Sequence, residues 1–185
     1  NLGHDVAVLC GSVHGDPLPG AVTFEGVQVV RYRFPPSARL DPFRWRRHVS
    51  AARDAFRREL SGTRWDVVHA HMPAGAAAVF GAAPMARRIY TVHSPAALEQ
   101  RINWNDGTLA GRVKMAVGLP LLAHVERRAL RRANAIHVLS GFTAREVTAQ
   151  HGADLDPKVV RIPWWQQLPA EPMLSREEAR RRLGW

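Results

Sequence analysis

The sequence has little cysteine, little lysine and no long apolar run. Its single cysteine, Cys10, excludes an internal disulfide and any metal site built from several thiolates. No run reaches 18 apolar residues, so we expect no membrane-spanning helix; the closest run, residues 115–125, is interrupted by Gly118 and Pro120. The composition, 46% hydrophobic and 23% charged over 185 residues, excludes disordered and disulfide-stapled classes. The simplest placement for such a chain is the cytoplasm.

Several motifs that define common α/β enzymes are also absent. There is no Gly-x-Gly-x-x-Gly segment and no Walker loop, so no phosphate-binding motif predicts a nucleotide site. There is no Gly-x-Ser-x-Gly elbow either, which leaves an α/β-hydrolase without its nucleophile.

Positive charge is in excess. Lys and Arg number 26 against 16 acidic residues, for a net charge of +10, and all but Lys114 and Lys158 are Arg. Such a balance suits anionic partners such as phosphates, nucleic acid or a membrane surface. Arg-rich, Lys-poor usage also follows from a GC-rich genome. The aromatic residues do not interleave with the basic ones as they do in base-stacking surfaces, so we expect no nucleic-acid partner.

Short β-branched runs alternate with helical stretches along the chain. The predicted strands are residues 5–10, 27–32, 66–71, 88–93, 135–140 and 158–162, and the predicted helices are residues 43–60, 74–83, 121–133 and 141–151. Most strand runs consist of Val, Ile and Ala without strict alternation, as expected for strands covered on both faces. The pattern predicts an α/β fold with a doubly wound, Rossmann-like parallel sheet. Ligands of such sheets bind beyond the carboxyl ends of the strands.

Three segments fall outside the alternation. Residues 12–20 form a loop by composition, and residues 94–114, which are polar and follow a strand, are predicted to be a binding loop. We expect residues 1–163 to form one domain, the proline-containing residues 164–174 an interdomain linker, and residues 175–185 the first helix of a second domain. Because a strand begins almost at once and a capped helix ends one residue before the last, both ends look cut from a longer chain.

Histidines mark two of the predicted strand ends. His69 and His71 share one face of a strand, which is geometry that can hold a metal, but with no nearby carboxylate we expect none. His69 lies deeper, so it is interpreted as a packed core imidazole, whereas His71 lies at the strand end. His93 ends its strand, and Ser94-Pro95 breaks the strand after it. An imidazole there can hydrogen-bond a sugar hydroxyl or a phosphate oxygen, and a packing role is the alternative.

The next strand ends at Ser140, and a helix follows. Gly141 lets the backbone approach a ligand, and the free N–H groups of a helix N-terminus suit an anion, so Ser140 and Thr143 are candidate phosphate or ligand contacts. The alternative is that these two residues only cap the helix.

A basic helix face is formed by Arg127, Arg128, Arg131 and Arg132. An anionic membrane surface is a plausible partner for it, and a merely solvated helix surface is the alternative. Arg112, Lys114 and His124 extend this face.

Six segments, in chain order, resemble motifs of one glycosyltransferase family. Residues 3–9 resemble its "RGHEV-V-L" strand, residues 66–71 its "DVVHAH" strand, residues 90–94 its "YTVHS" strand and residues 126–140 its "E..ALRRADAIVVLS" segment, while residues 158–163 and 175–184 fit its last strand before the linker and the first helix beyond it. On these matches the chain resembles the N-terminal domain of a family 4 glycosyltransferase of the two-domain GT-B fold.

The resemblance implies an enzyme that moves a sugar from a nucleotide-sugar donor to an acceptor, with retention of configuration and without metal or cofactor. This half would hold the acceptor, a sugar, an inositol or a lipid, and the other half most of the nucleotide sugar. His93 is then implied as the catalytic histidine, and His71, Ser94, Glu99 and Arg101 as acceptor-side residues. We expect residues 1–185 alone to be inactive.

A second interpretation comes from a different class of protein. It is a non-catalytic α/β module that binds an anionic surface or polymer through its Arg-rich helix. The enzyme needs a ligand around His93, Ser94 and Ser140, whereas the binding module needs only the basic helix. Either interpretation allows a cytoplasmic protein held peripherally at the inner face of the membrane.

Overall fold

Two sheets and their flanking helices make up the described part of the chain, which in this computed structural model is residues 3–12, 20–33, 44–163 and 174–185. In chain order the elements are β1 (Ala7–Ser12), β2 (Gly20–Phe24), β3 (Val27–Arg33), α1 (Arg44–Glu59), β4 (Val67–Ala70), α2 (Pro73–Val79), β5 (Arg87–Val92), α3 (Ala96–Asn103), α4 (Leu109–Val113), α5 (Leu119–Arg132), β6 (Ala135–Val138), α6 (Gly141–His151), β7 (Val159–Arg161) and α7 (Arg176–Leu183). A π-helical turn, Lys114–Gly118, precedes α5, and a 3₁₀ helix, Ala153–Lys158, precedes β7.

The larger sheet is entirely parallel, in the order β4-β5-β6-β7. One of its faces is buried: Tyr90, Val92, Ile136 and Val138 lie against helices that include α5 and α6. These alternate residues bury their side chains because successive residues of a strand point to opposite faces. The α/β fold class predicted from the alternation of strands and helices is therefore confirmed.

The smaller sheet departs from the prediction. Strand β1 pairs in parallel with β3, as expected of an α/β layer, but β2 pairs with the other edge of β3 in the antiparallel sense. The sequence analysis missed β2, because its side chains from Ala21 to Phe24 are exposed and show no apolar alternation. The turn between β2 and β3 consists of Glu25 and Gly26, both with positive φ, as a two-residue hairpin turn requires.

Residues 94–114 are not the loop that their polarity predicted. They contain the helices α3 and α4. Thr108 caps helix α4, and its hydroxyl oxygen accepts a hydrogen bond from the Gly111 N–H at 2.9 Å. Asp106 in turn accepts hydrogen bonds from the backbone N–H and the hydroxyl of Thr108. A good N-cap allows a helix as short as α4 to form within a segment whose overall composition is polar.

Helix α5 starts earlier than predicted, because neither Gly118 nor Pro120 ends it. Pro120 lies in the first turn of α5, where its fixed φ suits the helix, directly after the π-helical turn. Gly118 packs against the indole of Trp104, and a Cβ at this position would lie 2.8 Å from the ring. The glycine is therefore needed for close packing of the π-helical turn against the end of α3.

Helix α7 matches its predicted ends. The Ser175 hydroxyl caps its first turn, and Gly184, with φ of 70°, follows its last residue in the left-handed conformation. Most of the predicted loop at residues 12–20 and all but the last residue of the predicted linker at residues 164–174 lie outside the described residues. Within the described ranges, no helix has the length and hydrophobicity that a bilayer crossing requires.

Candidate functional site

The carboxyl edge of the parallel sheet collects the polar residues that the sequence singled out. His71 directly follows β4, His93 directly follows β5, and Ser140 follows β6 after one intervening residue. Because these strands run in parallel and in register, their ends meet at one edge. This is the edge at which parallel α/β sheets bind ligands.

His71 and His93 are in contact. Nδ1 of His71 lies 3.1 Å from Nε2 of His93, and the two rings are nearly parallel, with centroids 5.4 Å apart. Both residues are exposed. The contact leaves Nδ1 of His93 and Nε2 of His71 without a hydrogen bond to any other described residue. Two imidazoles with outward-facing nitrogens at a strand edge can donate to, or accept from, hydroxyls and phosphate oxygens.

His69 is not the packed core imidazole that its depth along the strand predicted. It lies on the open face of the sheet, stacked on His71 with centroids 4.4 Å apart. The reason is register: His69 and His71 share a face, whereas the buried face is formed by their neighbours, such as Ala70 and Tyr90.

Thr91 joins His69 to a fourth histidine, His137 on β6. The Thr91 hydroxyl lies 2.6 Å from Nε2 of His69 and 2.9 Å from Nδ1 of His137. Nε2 of His137 contacts the carbonyl oxygen of Ile162 at 3.0 Å and must donate to it. With a neutral His137 ring, Nδ1 then accepts from the Thr91 hydroxyl, which in turn accepts from the N–H of His69. These hydrogen bonds assign one tautomer to each of the rings of His69 and His137 when both are neutral. Together with His71 and His93, these two residues form what we call the histidine row.

The surroundings lower the pKa values of two of these histidines. Although both side chains are exposed overall, partial burial of the His69 ring disfavours its charged form, and His71, His137 and His93 add repulsion, so the pKa of His69 lies below the usual value. Partial burial of the ring also lowers the pKa of His71, followed by the effects of His93 and His137. Both rings are therefore neutral at pH 7, and His71 meets His93 as a neutral hydrogen-bond partner.

The other proposed acceptor-side residues lie on or beside α3. The hydroxyl of Ser94 donates to a carboxylate oxygen of Glu99 at 3.0 Å, and both residues are exposed. Arg101 lies in the last turn of α3, and no hydrogen bond joins it to His71, His93 or Ser94 among the described residues. The structure thus brings together His71 with His93 and Ser94 with Glu99, and it leaves Arg101 apart.

Ser140 and Thr143 form the helix cap that was their alternative interpretation. The Ser140 hydroxyl oxygen accepts from the Thr143 N–H at 3.0 Å and lies 3.0 Å from the Thr143 hydroxyl. Two cations that sequence reasoning missed lie at the same helix start: a Cβ on residue 141 would be 3.4 Å from the Arg161 guanidinium and 3.6 Å from that of Arg145. Positive charge therefore accompanies the N-terminus of α6.

The predicted four-arginine face divides into two rows. Arg131 pairs with Asp154, with a guanidinium nitrogen 3.1 Å from the carboxylate, and Arg127 lies beside Gly152. Arg128 and Arg132 lie on the other row, without an ion-pair partner among the described residues, and they line a cavity of about 220 Å³ between α2 and α5. Residues four apart on a helix differ by about 40° and adjacent residues by about 100°, so the two rows lie side by side on the exposed surface of α5 but meet different neighbours.

Arg53 of α1 completes that cavity, together with Ala76, Ala77, Val125 and Ala129. Its guanidinium donates to the carbonyl oxygens of Ala77 and Ala78 at the end of α2, which fixes the charge in place. Neither His71 nor His93 lines this cavity. We call it the arginine groove.

Metal-ligating residues are not clustered in the described ranges: no group of three or more His, Cys, Asp or Glu side chains is placed to hold an ion.

Comparison with known families supplies the class of protein. The model of the glycosyl transferase 4-like domain matches residues 1–165, which is most of the chain and includes all of the strands and histidines described above. No curated protein sequence matches the chain. The chain belongs to the glycosyl transferase 4-like family.

Proposed function

We propose that this chain is the acceptor-side domain of a retaining glycosyltransferase, which moves a sugar from a nucleotide-sugar donor to a sugar, inositol or lipid acceptor. The observation that carries the proposal is the His71–His93 contact at the carboxyl edge of the parallel sheet of a glycosyl transferase 4-like chain. The proposed enzyme works in the cytoplasm, with its donor held mainly by a second domain, and it requires no metal or cofactor.

In the proposed reaction, the bond between the anomeric carbon and the donor phosphate oxygen breaks. A bond from that carbon to the acceptor oxygen forms on the same face of the sugar ring. The proton of the acceptor hydroxyl passes to the departing nucleoside diphosphate, so that atoms and charges balance. Positive charge develops on the sugar and negative charge on the diphosphate, and both need preorganised partners in a site that excludes water.

Each histidine has a part in that stabilisation. When both ring nitrogens of His93 are protonated, its Nε2–H donates to Nδ1 of the neutral His71, and its Nδ1–H faces outward to a hydroxyl or phosphate oxygen. The His69–Thr91–His137 contacts hold His71 in its stack. The His71–His93 pair is thus a fixed donor that needs little reorganisation as charge develops.

Ser94 and Glu99 are proposed to bind the acceptor. Because the Ser94 hydroxyl donates to Glu99, its oxygen is free to accept from an acceptor hydroxyl, and the second Glu99 oxygen can do the same. Arg101 is proposed to meet a charged group of the acceptor, and Ser140 and Thr143 a phosphate, beside the cations Arg145 and Arg161.

The test is turnover by the full-length protein that contains this chain. UDP- and GDP-sugars are each supplied with a sugar, an inositol phosphate or a lipid acceptor, and release of the nucleoside diphosphate is followed. The anomeric configuration of the product is read from its proton NMR coupling constant. We expect retention of the donor configuration. An inverted product contradicts the retaining mechanism, and a full-length protein that neither binds nor turns over any nucleotide sugar contradicts the whole proposal.

The division of labour has a separate test. Transfer depends on holding donor and acceptor together, and loss of either removes most of the advantage of an enclosed site. We therefore propose that residues 1–185 alone show no transfer and bind nucleotide sugars only weakly. Calorimetry of this segment with UDP- and GDP-sugars decides the point, because micromolar affinity or any turnover would locate the donor site in these residues.

The arginine groove favours a second function, contact with an anionic membrane. Arg53, Arg128 and Arg132 converge there, and the last two have no ion-pair partner among the described residues. Three cations around a small apolar floor suit a phosphate headgroup, and each adds about 1 kcal/mol near an anionic bilayer. Sedimentation with phosphatidylglycerol vesicles at low salt tests this function, with phosphatidylcholine vesicles as the control; equal binding to the two contradicts it.

A further inference from the structure

A buried carboxylate lies beneath the candidate site. Glu126 on α5 is 1% exposed, and both of its oxygens accept from the backbone N–H of Ala96, at 3.1 and 3.0 Å. The Tyr90 hydroxyl donates to the same carboxylate at 3.3 Å, and Nε2 of His151 lies 3.1 Å from it. Its acceptor sites are therefore occupied from three directions, which is the condition for keeping a charge in a protein core.

The hydrogen bond between Glu126 and Ala96 lies close to the candidate site. Ala96 is the first residue of α3 and stands three residues after His93, with Ser94 and Pro95 between them. Pro95 has no N–H, so Ala96 carries the first backbone donor of the helix, and such donors have no partner within the helix. Glu126 supplies that partner and so ties the turn between β5 and α3 to the core.

The other contacts of Glu126 reach strand β5 and the last residue of α6. His151 is the last residue of α6, the helix that begins after Ser140, and it is also buried. Tyr90 lies in β5, three residues before His93. One carboxylate therefore joins the strand that carries His93, the turn that carries Ser94 and the helix capped by Ser140.

Packing in the hydrophobic core does not by itself require a carboxylate at position 126. Glu126 shares its helix face with Ala129, Leu130 and Ala133, all buried, at the spacing of an apolar stripe. An apolar side chain there would fill the space without burying charge, but it would leave the Ala96 N–H without a partner. We propose that Glu126 is a positioning residue, which holds the His93–Ser94 turn in its working geometry. This inference rests on the proposed transferase function.

Two substitutions separate reach from charge. Glu126→Asp keeps the charge but shortens the side chain by about 1.5 Å, one carbon–carbon bond. Glu126→Gln keeps the length and one carbonyl oxygen. If Glu126 acts by reaching Ala96, exchange of the Ala96 amide, measured by NMR relative to that of Ile136, rises about tenfold to a hundredfold in the Asp variant and much less in the Gln variant. If the interaction of the Glu126 charge with His151 is what matters, exchange of the Ala96 amide rises more in the Gln variant than in the Asp variant. That result overturns the inference.

The matched control is His151→Leu, which removes a partner from the far side of the same carboxylate. We expect it to lower thermal stability while Ala96 stays protected and kcat in the full-length enzyme stays near wild type. Glu126→Asp should lower kcat about tenfold to a hundredfold with little change in KM. The inference is overturned if Glu126→Asp and His151→Leu lower kcat by the same factor when their losses of stability are equal. If the unsubstituted full-length protein transfers no sugar, the proposed function fails. Whether Glu126 positions the His93–Ser94 turn is then decided by exchange of the Ala96 amide and by the NMR resonances of the His93 ring.

Discussion

His71 and His93 follow adjacent parallel strands, and their rings are joined nitrogen to nitrogen at 3.1 Å. The sheet fixes their two backbone positions, the His71 ring stacks on His69, and the His93 ring stacks in turn on His71. The pair is therefore a defined feature of the sheet edge, which allows sharp expectations for its substitution.

Replacing His93 should remove most of the transferase activity and leave the fold intact. The His93 side chain is exposed, so His93→Ala buries no new polar group. Loss of one preorganised donor to developing charge typically lowers kcat by roughly a hundredfold to a thousandfold. The measurement is kcat of the full-length enzyme, with circular dichroism to verify folding. The exposed His4→Ala is the control, and near-normal turnover of folded His93→Ala would remove His93 from the site.

The histidine row should make the protein less stable in mild acid. The folded-state pKa values of His69 and His71 lie below the unfolded value of about 6.5, so the unfolded chain takes up protons first as the pH falls. The contribution of these two histidines to the free energy of unfolding is fully present above about pH 6.5, the unfolded pKa. It is lost as the pH falls from there through their lowered folded-state pKa values. Urea unfolding at pH 7.5 and 5.5 measures this loss.

The double variant His69→Asn/His71→Asn isolates the effect. It should lose less stability between the two pH values than the wild type does, because two of the groups that take up protons on unfolding are gone. His124→Asn, which removes an exposed histidine from α5, is the matched control. An unchanged pH dependence in the double variant would contradict the neutral state assigned to these rings.

The parallel sheet and the histidines at its edge were predictable from local patterns. A β-branched run followed by Ser-Pro predicts a strand end such as Thr-Val-His93, and this prediction requires no knowledge of distant contacts. Helix α1 was predicted for a similar reason, since Ala52, Phe56 and Leu60 recur at helical spacing and are buried.

What the sequence concealed depends on register or on distant partners. His69 and His137 lie on the open face because of the pairing of β4, β5 and β6, which no single strand reveals. Strand β2 contains the strand-forming residues Val22, Thr23 and Phe24, but the run is short and exposed, and its place in the sheet depends on its hydrogen bonds with β3. Glu126 did leave a signal, a carboxylate on an otherwise apolar helix stripe, but its partner Ala96 is 30 residues away in the chain.

The two arginine rows of α5 should differ in membrane binding. Arg128→Glu/Arg132→Glu reverses the charges that line the arginine groove, whereas Arg127→Glu/Arg131→Glu reverses those on the row that includes the Asp154 pair. The net change in charge is the same. We expect the first variant to lose about tenfold or more in affinity for phosphatidylglycerol vesicles at low salt, and the second variant less. Equal losses would mean that only net charge matters and that the groove has no special part.

Two glycine substitutions should change stability in opposite directions. Gly152 ends α6 with φ of 112°, and a Cβ there would collide with the Asp154 carboxylate, so Gly152→Ala should destabilise the fold by about 1–3 kcal/mol. Gly75 lies within α2 with ordinary φ and nothing near the place of a Cβ. Gly75→Ala should stabilise the fold by roughly 0.5–1 kcal/mol, because alanine loses less backbone entropy in a helix. Urea denaturation of both variants, with the m-value checked for constancy, measures the two changes. The two variants carry the same chemical substitution. If both change the free energy of unfolding in the same direction, the backbone conformation at residue 152 differs from the one described, and so does the turn that leads from α6 to β7.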